Sequence, residues 1–146
     1  MVSLANAEYR LRVARGFLDE AQQDAELGRW RSAVDNAQLA VENAAKAALA
    51  LCGPVGRTHN PALQLRNTLY EAMFEWSDPS SVQRLADLAE MLGFDVHVQT
   101  DYGDEMEGRT PWELFDEADA RQALTIATEA VGLAEQIVGT HSRGRT

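Results

Sequence analysis

The sequence has a single cysteine, few prolines and no apolar run long enough to span a bilayer. Because Cys52 stands alone, an intrachain disulfide and a cysteine-based metal cage are excluded. The N-terminus also lacks a basic segment followed by an apolar one, so no secretory signal is expected. These absences favour a cytoplasmic location without a membrane span. They also favour Cys52 as a small, buried hydrophobic residue near a helix end.

Positive charge is scarce as well. Thirteen basic residues face 23 acidic ones, which gives a formal net charge of -10. The acidic excess lies in residues 74–146, whereas the first half is balanced and carries a cluster of arginines: Arg10, Arg12, Arg15, Arg29 and Arg31. Phosphate attraction grows with clustered positive charge, so the composition disfavours non-specific binding of RNA or DNA. The arginine cluster makes either a local contact or a solvated helix face.

Apolar residues recur at three- and four-residue steps through most of the chain, which predicts helices and no sheet. Gly28 and the pair Gly53-Pro54 are typical of helix ends, and Asn60-Pro61 is typical of a helix start. The predicted helices cover about 3–27, 30–52, 61 onward, 79–93 and 116–138. Residues 94–115 read as one long acidic loop, since "FDVHVQT" alternates only briefly and has no partner strand.

This pattern predicts an all-α protein, an up-and-down bundle of four to five helices. Residues 1–139 form its single domain and residues 140–146 a flexible tail. Alanine-rich helix faces let helices approach closely, and we expect a homodimer packed through such faces.

One polar stripe interrupts the alanine-rich second helix, "LAVENAAKAALALCG". Glu42 and Lys46 lie four residues apart in the favoured orientation, on the same face as Arg31, Asp35 and Gln38. The Glu–Lys pair is either an ordinary surface pair or part of a polar site on the bundle wall.

The predicted loop concentrates carboxylates between two aromatic residues, Tyr102 and Trp112: Asp101, Asp104, Glu105 and Glu107. Carboxylates this dense bind a cation, pair with the arginines of the first helix, or stay in water. Asp104 and Glu105 are the candidate ligands of a magnesium ion. The spacing excludes an EF-hand.

The second helix and its flanks resemble the HEPN family of small helical domains. The likeness rests on a glycine, an aromatic, spaced alanines and the Glu–Lys pair: Gly28, Trp30, Ala33, Ala37, Ala40, Glu42, Lys46 and Ala47. A histidine before leucines, the segment "DYGDEMEGRTPWELF" and an alanine-rich last helix extend it over nearly the whole chain: His59, Leu63, Leu65, Asp116, Ala120, Ala123, Ala127 and Ala130.

The resemblance implies a helical bundle, often a homodimer. Many members are metal-independent ribonucleases, in which an Arg precedes a His with four to six residues between them. None of His59, His97 and His141 has an Arg at that spacing. The resemblance therefore implies a non-catalytic member, the partner of a minimal nucleotidyltransferase in a toxin–antitoxin-like pair, and no catalytic residue is assigned.

The candidate residues for binding a nucleotide or a partner are Glu42, Lys46, His59, Tyr102 and Arg109, with Arg109 as the phosphate contact and magnesium accompanying a nucleotide. Two alternatives stay open. A ribonuclease with a rearranged site predicts His59 beside an Arg in a dimer cleft, and a plain helical interaction module predicts no polar cleft. In a purely structural role, His59 caps the third helix or packs beside Trp76.

Overall fold

The computed structural model describes residues 2–71 and 74–144, with Val2 described by its backbone alone. This part of the chain contains seven helices: α1 Val2–Glu26, α2 Trp30–Ala50, α3 Pro61–Tyr70, α4 Pro79–Met91, α5 Phe94–Tyr102, α6 Pro111–Leu114 and α7 Glu117–Arg143. Within the described residues the only extended pairing is an isolated bridge between Asp104 and Arg109. The predicted all-α class is confirmed. None of the described helices combines the length and the apolar character that a bilayer crossing requires.

Helix α2 lies at the centre of the molecule, packed on α1 on one side and on α7 on another, while α4 packs on α3 and α7. Its alanines are fully buried: Ala33, Ala37, Ala40, Ala44, Ala45, Ala47, Ala48 and Ala50. Small side chains let helix backbones approach and pack without voids. The expected dimer contact through alanine-rich faces is therefore wrong for α2, because the chain's own core already covers these residues. A homodimer stays a prediction, and it would need other surfaces.

Helix ends coincide with the predicted capping residues. Gly28 adopts φ +72° between α1 and α2, a backbone conformation that glycine reaches without strain. The Asn60 side chain accepts a hydrogen bond from the backbone N–H of Leu63 at 3.3 Å, and Asp78 caps α4 through Ser81 N–H at 3.2 Å. These local signals fix where the chain turns.

The connection between α4 and α7 differs from the predicted loop. The prediction that residues 94–115 form one long loop is wrong, because α5 and α6 occupy most of this range. Helix α5 is rich in β-branched and aromatic residues, which have low helix propensity, so tertiary contacts decide its conformation. Thr100 is fully buried against α2, and the Arg31 guanidinium donates to its carbonyl oxygen at 3.0 Å. The irregular segment is reduced to residues 103–110.

The last helix is longer than predicted. Helix α7 continues past Val138 to Arg143, so the predicted flexible tail begins inside a helix. Residues 145 and 146 of that tail lie outside the described residues. A capping box between Asp116 and Asp119 starts this helix.

Cys52 was predicted to be buried, and this prediction is wrong. Helix α2 ends at Ala50, and Cys52 lies in the turn that follows, where it is exposed. Neighbouring protein atoms still remove water from the thiol, and this desolvation raises its pKa from 9.0 to about 11.

Replacing Ala127 with Leu tests the close packing of α7. Ala127 is fully buried, and a larger side chain in a well-packed core costs about 1–3 kcal/mol of unfolding free energy. The measurement is urea denaturation followed by circular dichroism. Ala118→Leu is the matched control, because Ala118 is exposed on the same helix. Equal stability of the two variants would contradict the packing described here.

Alkylation of Cys52 tests its raised pKa. At pH 8 the folded chain holds less thiolate than the unfolded chain, and the higher nucleophilicity of a more basic thiolate offsets only part of this loss. We therefore expect iodoacetamide to label the folded chain about tenfold more slowly than the chain in urea. Free cysteine with and without urea controls for the solvent. Equal rates would show that the thiol is not desolvated.

Candidate functional site

A cavity of about 490 Å³ opens between α2, the segment that precedes α3, and the junction of α4 and α5. We call it the α2–α4 cavity. Gln38, Val41 and Glu42 of α2 line it from one side, and Arg57 and His59 line it from the segment before α3. The α4–α5 junction contributes apolar residues, Phe94 among them, and two carboxylates, Glu90 and Asp95. The cavity therefore joins the polar stripe of α2 to residues that are distant in sequence.

Glu42 lines the cavity, and Lys46, which does not line it, reaches the site through its contact with Glu42; the pair is largely buried and is not an ordinary surface pair. Glu42 is 9% exposed, and its Oε2 accepts a hydrogen bond from Lys46 Nζ at 3.3 Å. His59 Nδ1 lies 3.6 Å from Oε1 of the same carboxylate. The structure thus brings together three of the five residues that the sequence proposed for binding.

Gln38 is the most unusual residue of the cavity. It is 2% exposed, and its Oε1 meets no hydrogen-bond donor among the described residues. A buried carbonyl oxygen without a donor costs about 1–3 kcal/mol. Sequence reasoning placed Gln38 on the polar stripe but did not propose it as a site residue. The available signal was its position four residues before Glu42, which puts both side chains on one face.

An aromatic wall of two partly exposed rings lines the cavity at α5. The ring of His59 stacks on that of Phe94, with centroids 4.6 Å apart and planes inclined by 22°. The two structural roles considered for His59 are both wrong. Asn60 caps α3, and Trp76 instead packs on Phe74 and donates its indole N–H to Thr68.

Arg57 supplies a cation at the cavity, and sequence reasoning missed it. It is exposed and stands two residues before His59 in the segment "GRTHN". This arginine was overlooked because the family's ribonuclease spacing places the arginine further upstream of the histidine.

The remaining candidate residues lie elsewhere. Tyr102 is the last residue of α5, and Asp104, Glu105 and Arg109 belong to the connection between α5 and α6. None of the four lines the α2–α4 cavity. The Arg109 guanidinium donates instead to the backbone carbonyl of Glu113 at 2.8 Å. The sequence placed the two groups in one site, and the fold separates them.

The connection itself forms a tight hairpin. The backbone N–H groups of Asp104 and Arg109 donate to each other's carbonyl oxygens at 2.8 and 2.9 Å. Gly103 has φ +71°, and a Cβ there would lie 2.3 Å from the Arg109 carbonyl oxygen, so only glycine fits. Within the described residues, no group of three or more His, Cys, Asp and Glu side chains is arranged to hold a metal ion. Magnesium binding by Asp104 and Glu105 stays a prediction.

The arginines of α1 do not dock on this hairpin in any described ion pair. Arg15 pairs with Glu135 of α7 instead. The aromatic ring of Trp112, next to the hairpin, is covered by Arg31 of α2, whose guanidinium carbon lies 5.4 Å from the ring centroid. This separation is within the range of a cation–π interaction.

Arg31 and Asp35, two further residues of the polar stripe, fix α5 on α2. The carboxylate of Asp35 accepts a hydrogen bond from Thr100 Oγ1 at 3.2 Å, and the same oxygen lies 3.1 Å from His97 Nδ1. These contacts hold Phe94, at the start of α5, against His59. The stripe therefore has two parts: residues 31 and 35 position α5, and residues 38 and 42 face the cavity.

A pair of salt bridges joins α3 to α4. Arg66 of α3 donates to Asp87 at 2.9 Å and to Glu90 at 2.7 Å, both on α4. The hydrogen bond from Arg66 lowers the pKa of Asp87 below its ordinary value. Glu90 also lines the cavity, so the pair connects the cavity rim to α3.

Comparison with known proteins agrees with this architecture. A family profile described as HEPN domain matches residues 7–137. The crystal structure of TT1696 from Thermus thermophilus superposes with a TM-score of 0.65 and 21% sequence identity, over 90% of this chain and 97% of that chain. At this identity the likeness shows a shared fold and no more. No curated protein matches the chain.

Proposed function

The chain belongs to the HEPN domain family, and on that premise we propose that it is a non-catalytic member that binds a nucleotide in the α2–α4 cavity. We propose further that it acts as the partner of a minimal nucleotidyltransferase in a toxin–antitoxin-like pair. The observation that carries the nucleotide assignment is the pair of buried acceptors, Gln38 and Glu42, in a cavity that has an aromatic wall and an arginine.

The dimensions and chemistry of the cavity suit a mononucleotide. Its volume of about 490 Å³ lies inside the range of about 300–1,000 Å³ that small-molecule sites occupy. The stacked rings of His59 and Phe94 offer a surface for a base, and Arg57 offers a cation for a phosphate. One nucleotide needs few cations, whereas a long nucleic acid needs many. The net charge of -10 is therefore compatible with binding a single nucleotide and unfavourable for binding a long nucleic acid.

This proposal moves the phosphate contact from Arg109 to Arg57, because Arg109 does not line the cavity. In the same proposal we give a different role to Tyr102, at the end of α5, and to the hairpin that follows it, which carries Asp104 and Glu105. Its exposed carboxylates would meet a basic surface of the nucleotidyltransferase, since complementary charge steers association.

The non-catalytic assignment rests on the absence of the family's ribonuclease motif from the sequence. No histidine of the sequence follows an Arg at the family's spacing. The plain interaction module is disfavoured by the polar cavity itself, since that alternative predicts no polar cleft.

One observation keeps a second candidate, a metal-independent ribonuclease with a rearranged site. That alternative predicts His59 beside an Arg in a dimer cleft, and in the single chain Arg57 and His59 already line the same cavity. In such an enzyme His59 would exchange a proton with the ribose 2′-hydroxyl or the leaving oxygen, and Arg57 would stabilise phosphate charge.

Replacing Arg57 with Ala tests nucleotide binding. Because a charge-assisted contact to a phosphate is lost, we expect the dissociation constant for ATP to rise about tenfold, measured by isothermal titration calorimetry with and without magnesium. Arg12→Ala is the control, since it removes the same charge from an exposed position on α1. Unchanged binding in both variants would contradict a phosphate contact at Arg57, and no binding by the parent chain would contradict the proposed site.

Incubation with RNA in the presence of EDTA separates the two candidates. We expect no cleavage from the parent chain. Cleavage that disappears in His59→Ala would establish the ribonuclease and overturn the non-catalytic assignment.

Coexpression tests the partner. A minimal nucleotidyltransferase encoded beside this chain should coelute with it in size-exclusion chromatography, and light scattering gives the stoichiometry. Separate elution, or the lack of such a neighbouring gene, would contradict the pair without affecting nucleotide binding. The homodimer and the cytoplasmic location stay predictions, and light scattering of the isolated chain decides the first.

A further inference from the structure

We infer that the nucleotide is a guanine nucleotide and that Glu42 and Gln38 recognise the edge of its base. This inference rests on the proposed nucleotide site and specifies its ligand. It follows from the kind of hydrogen-bonding atoms that α2 places in the cavity.

Two buried side chains that line the cavity carry hydrogen-bond acceptors, the carboxylate of Glu42 and the amide oxygen of Gln38. Glu42 and Gln38 lie four residues apart on α2, so their side chains are neighbours on one helix face. The Gln38 Oε1 has no donor among the described residues. An ionised carboxylate has about four acceptor positions, and Glu42 uses one oxygen for Lys46 and turns the other toward His59. Acceptor capacity therefore remains at both residues.

Among the common bases, guanine matches this surface best. Its Watson–Crick edge presents two adjacent donors, the N1–H and the 2-amino group, and a carboxylate can accept from both. Adenine and cytosine place a ring-nitrogen acceptor beside their amino group, which would face the Glu42 carboxylate. Uracil has one N–H between two carbonyl oxygens. The Glu42 carboxylate therefore attracts the edge of guanine and repels part of the edge of each other base.

The surroundings fit the same orientation. Lys46 lies against the Glu42 carboxylate at 3.3 Å, so a buried negative charge is balanced without a ligand cation. With the base edge on α2, the base lies beside the stacked His59 and Phe94 rings, and the phosphates extend toward exposed Arg57 at the opening.

Titration calorimetry with GTP, ATP and ITP tests the base. Sites that hydrogen-bond a ligand group reject analogues lacking it, so we expect GTP to bind about tenfold or more tightly than ATP. ITP lacks the 2-amino group and should lie between them. ATP binding as tight as GTP would overturn the guanine assignment and leave the proposed nucleotide site intact. If no nucleotide binds, both fail.

The variant Glu42→Gln gives a readout that a purely structural role would not produce. The amide keeps the shape of the side chain but adds a donor, which a xanthine base can use through its carbonyl oxygen at position 2. We expect GTP to bind about tenfold more weakly than in the parent chain, and XTP to bind more tightly. Glu105→Gln, at an exposed hairpin position, is the control. A loss of both nucleotides, with an unchanged thermal unfolding transition, would overturn the role of Glu42.

Gln38→Met covers the case in which Glu42→Gln does not fold. Methionine has a similar length and removes the amide oxygen that is without a donor, so the fold should be retained. The preference for GTP over ATP should fall in this variant. A preference equal to that of the parent chain would show that Gln38 does not contact the base.

Discussion

The close contact of alanine faces on α2 with α1 and α7 is the constraint on which the rest of the structure depends. Because the small residues leave α2 enclosed on these sides, its polar stripe can face only α4, α5 and the segment before α3. A larger residue on the alanine side would displace α2 and, with it, every group that the stripe positions. Packing in the core and the composition of the cavity are therefore two results of one sequence pattern.

The polar side of α2 adds specificity to this arrangement. Burial of the Glu42 carboxylate carries a desolvation cost, which the hydrogen bond from Lys46 offsets in part. Asp35 and Arg31 hold α5 through Thr100, and α5 in turn places Phe94 against His59. The aromatic wall thus depends on polar contacts one turn away along α2, and the site and the position of α5 are parts of one network.

Periodicity and capping residues predicted the long helices well, since both are local properties of the chain. Helix α5 escaped prediction because its residues favour strand or loop, and only contacts with α2 make it helical. For the candidate site, helical spacing and the family pattern grouped Glu42, Lys46 and His59, and the fold brings these three side chains together. Gln38 lay on the predicted polar stripe but was not proposed as a site residue, because its lack of a donor is visible only in three dimensions. Arg57 was missed because its place at the cavity depends on the fold. Tyr102 and Arg109 were grouped with them on the basis of the family's loop, yet the fold places them apart.

The hairpin closed by Asp104 and Arg109 has a consequence for recognition. Gly103 and the two backbone hydrogen bonds fix its shape, and Met106 at its tip is 98% exposed. A preformed projection loses little conformational entropy when another surface closes over it. Any molecule that engages this tip would therefore meet a rigid template, in which the thioether of Met106 projects between the exposed carboxylates of Glu105 and Glu107.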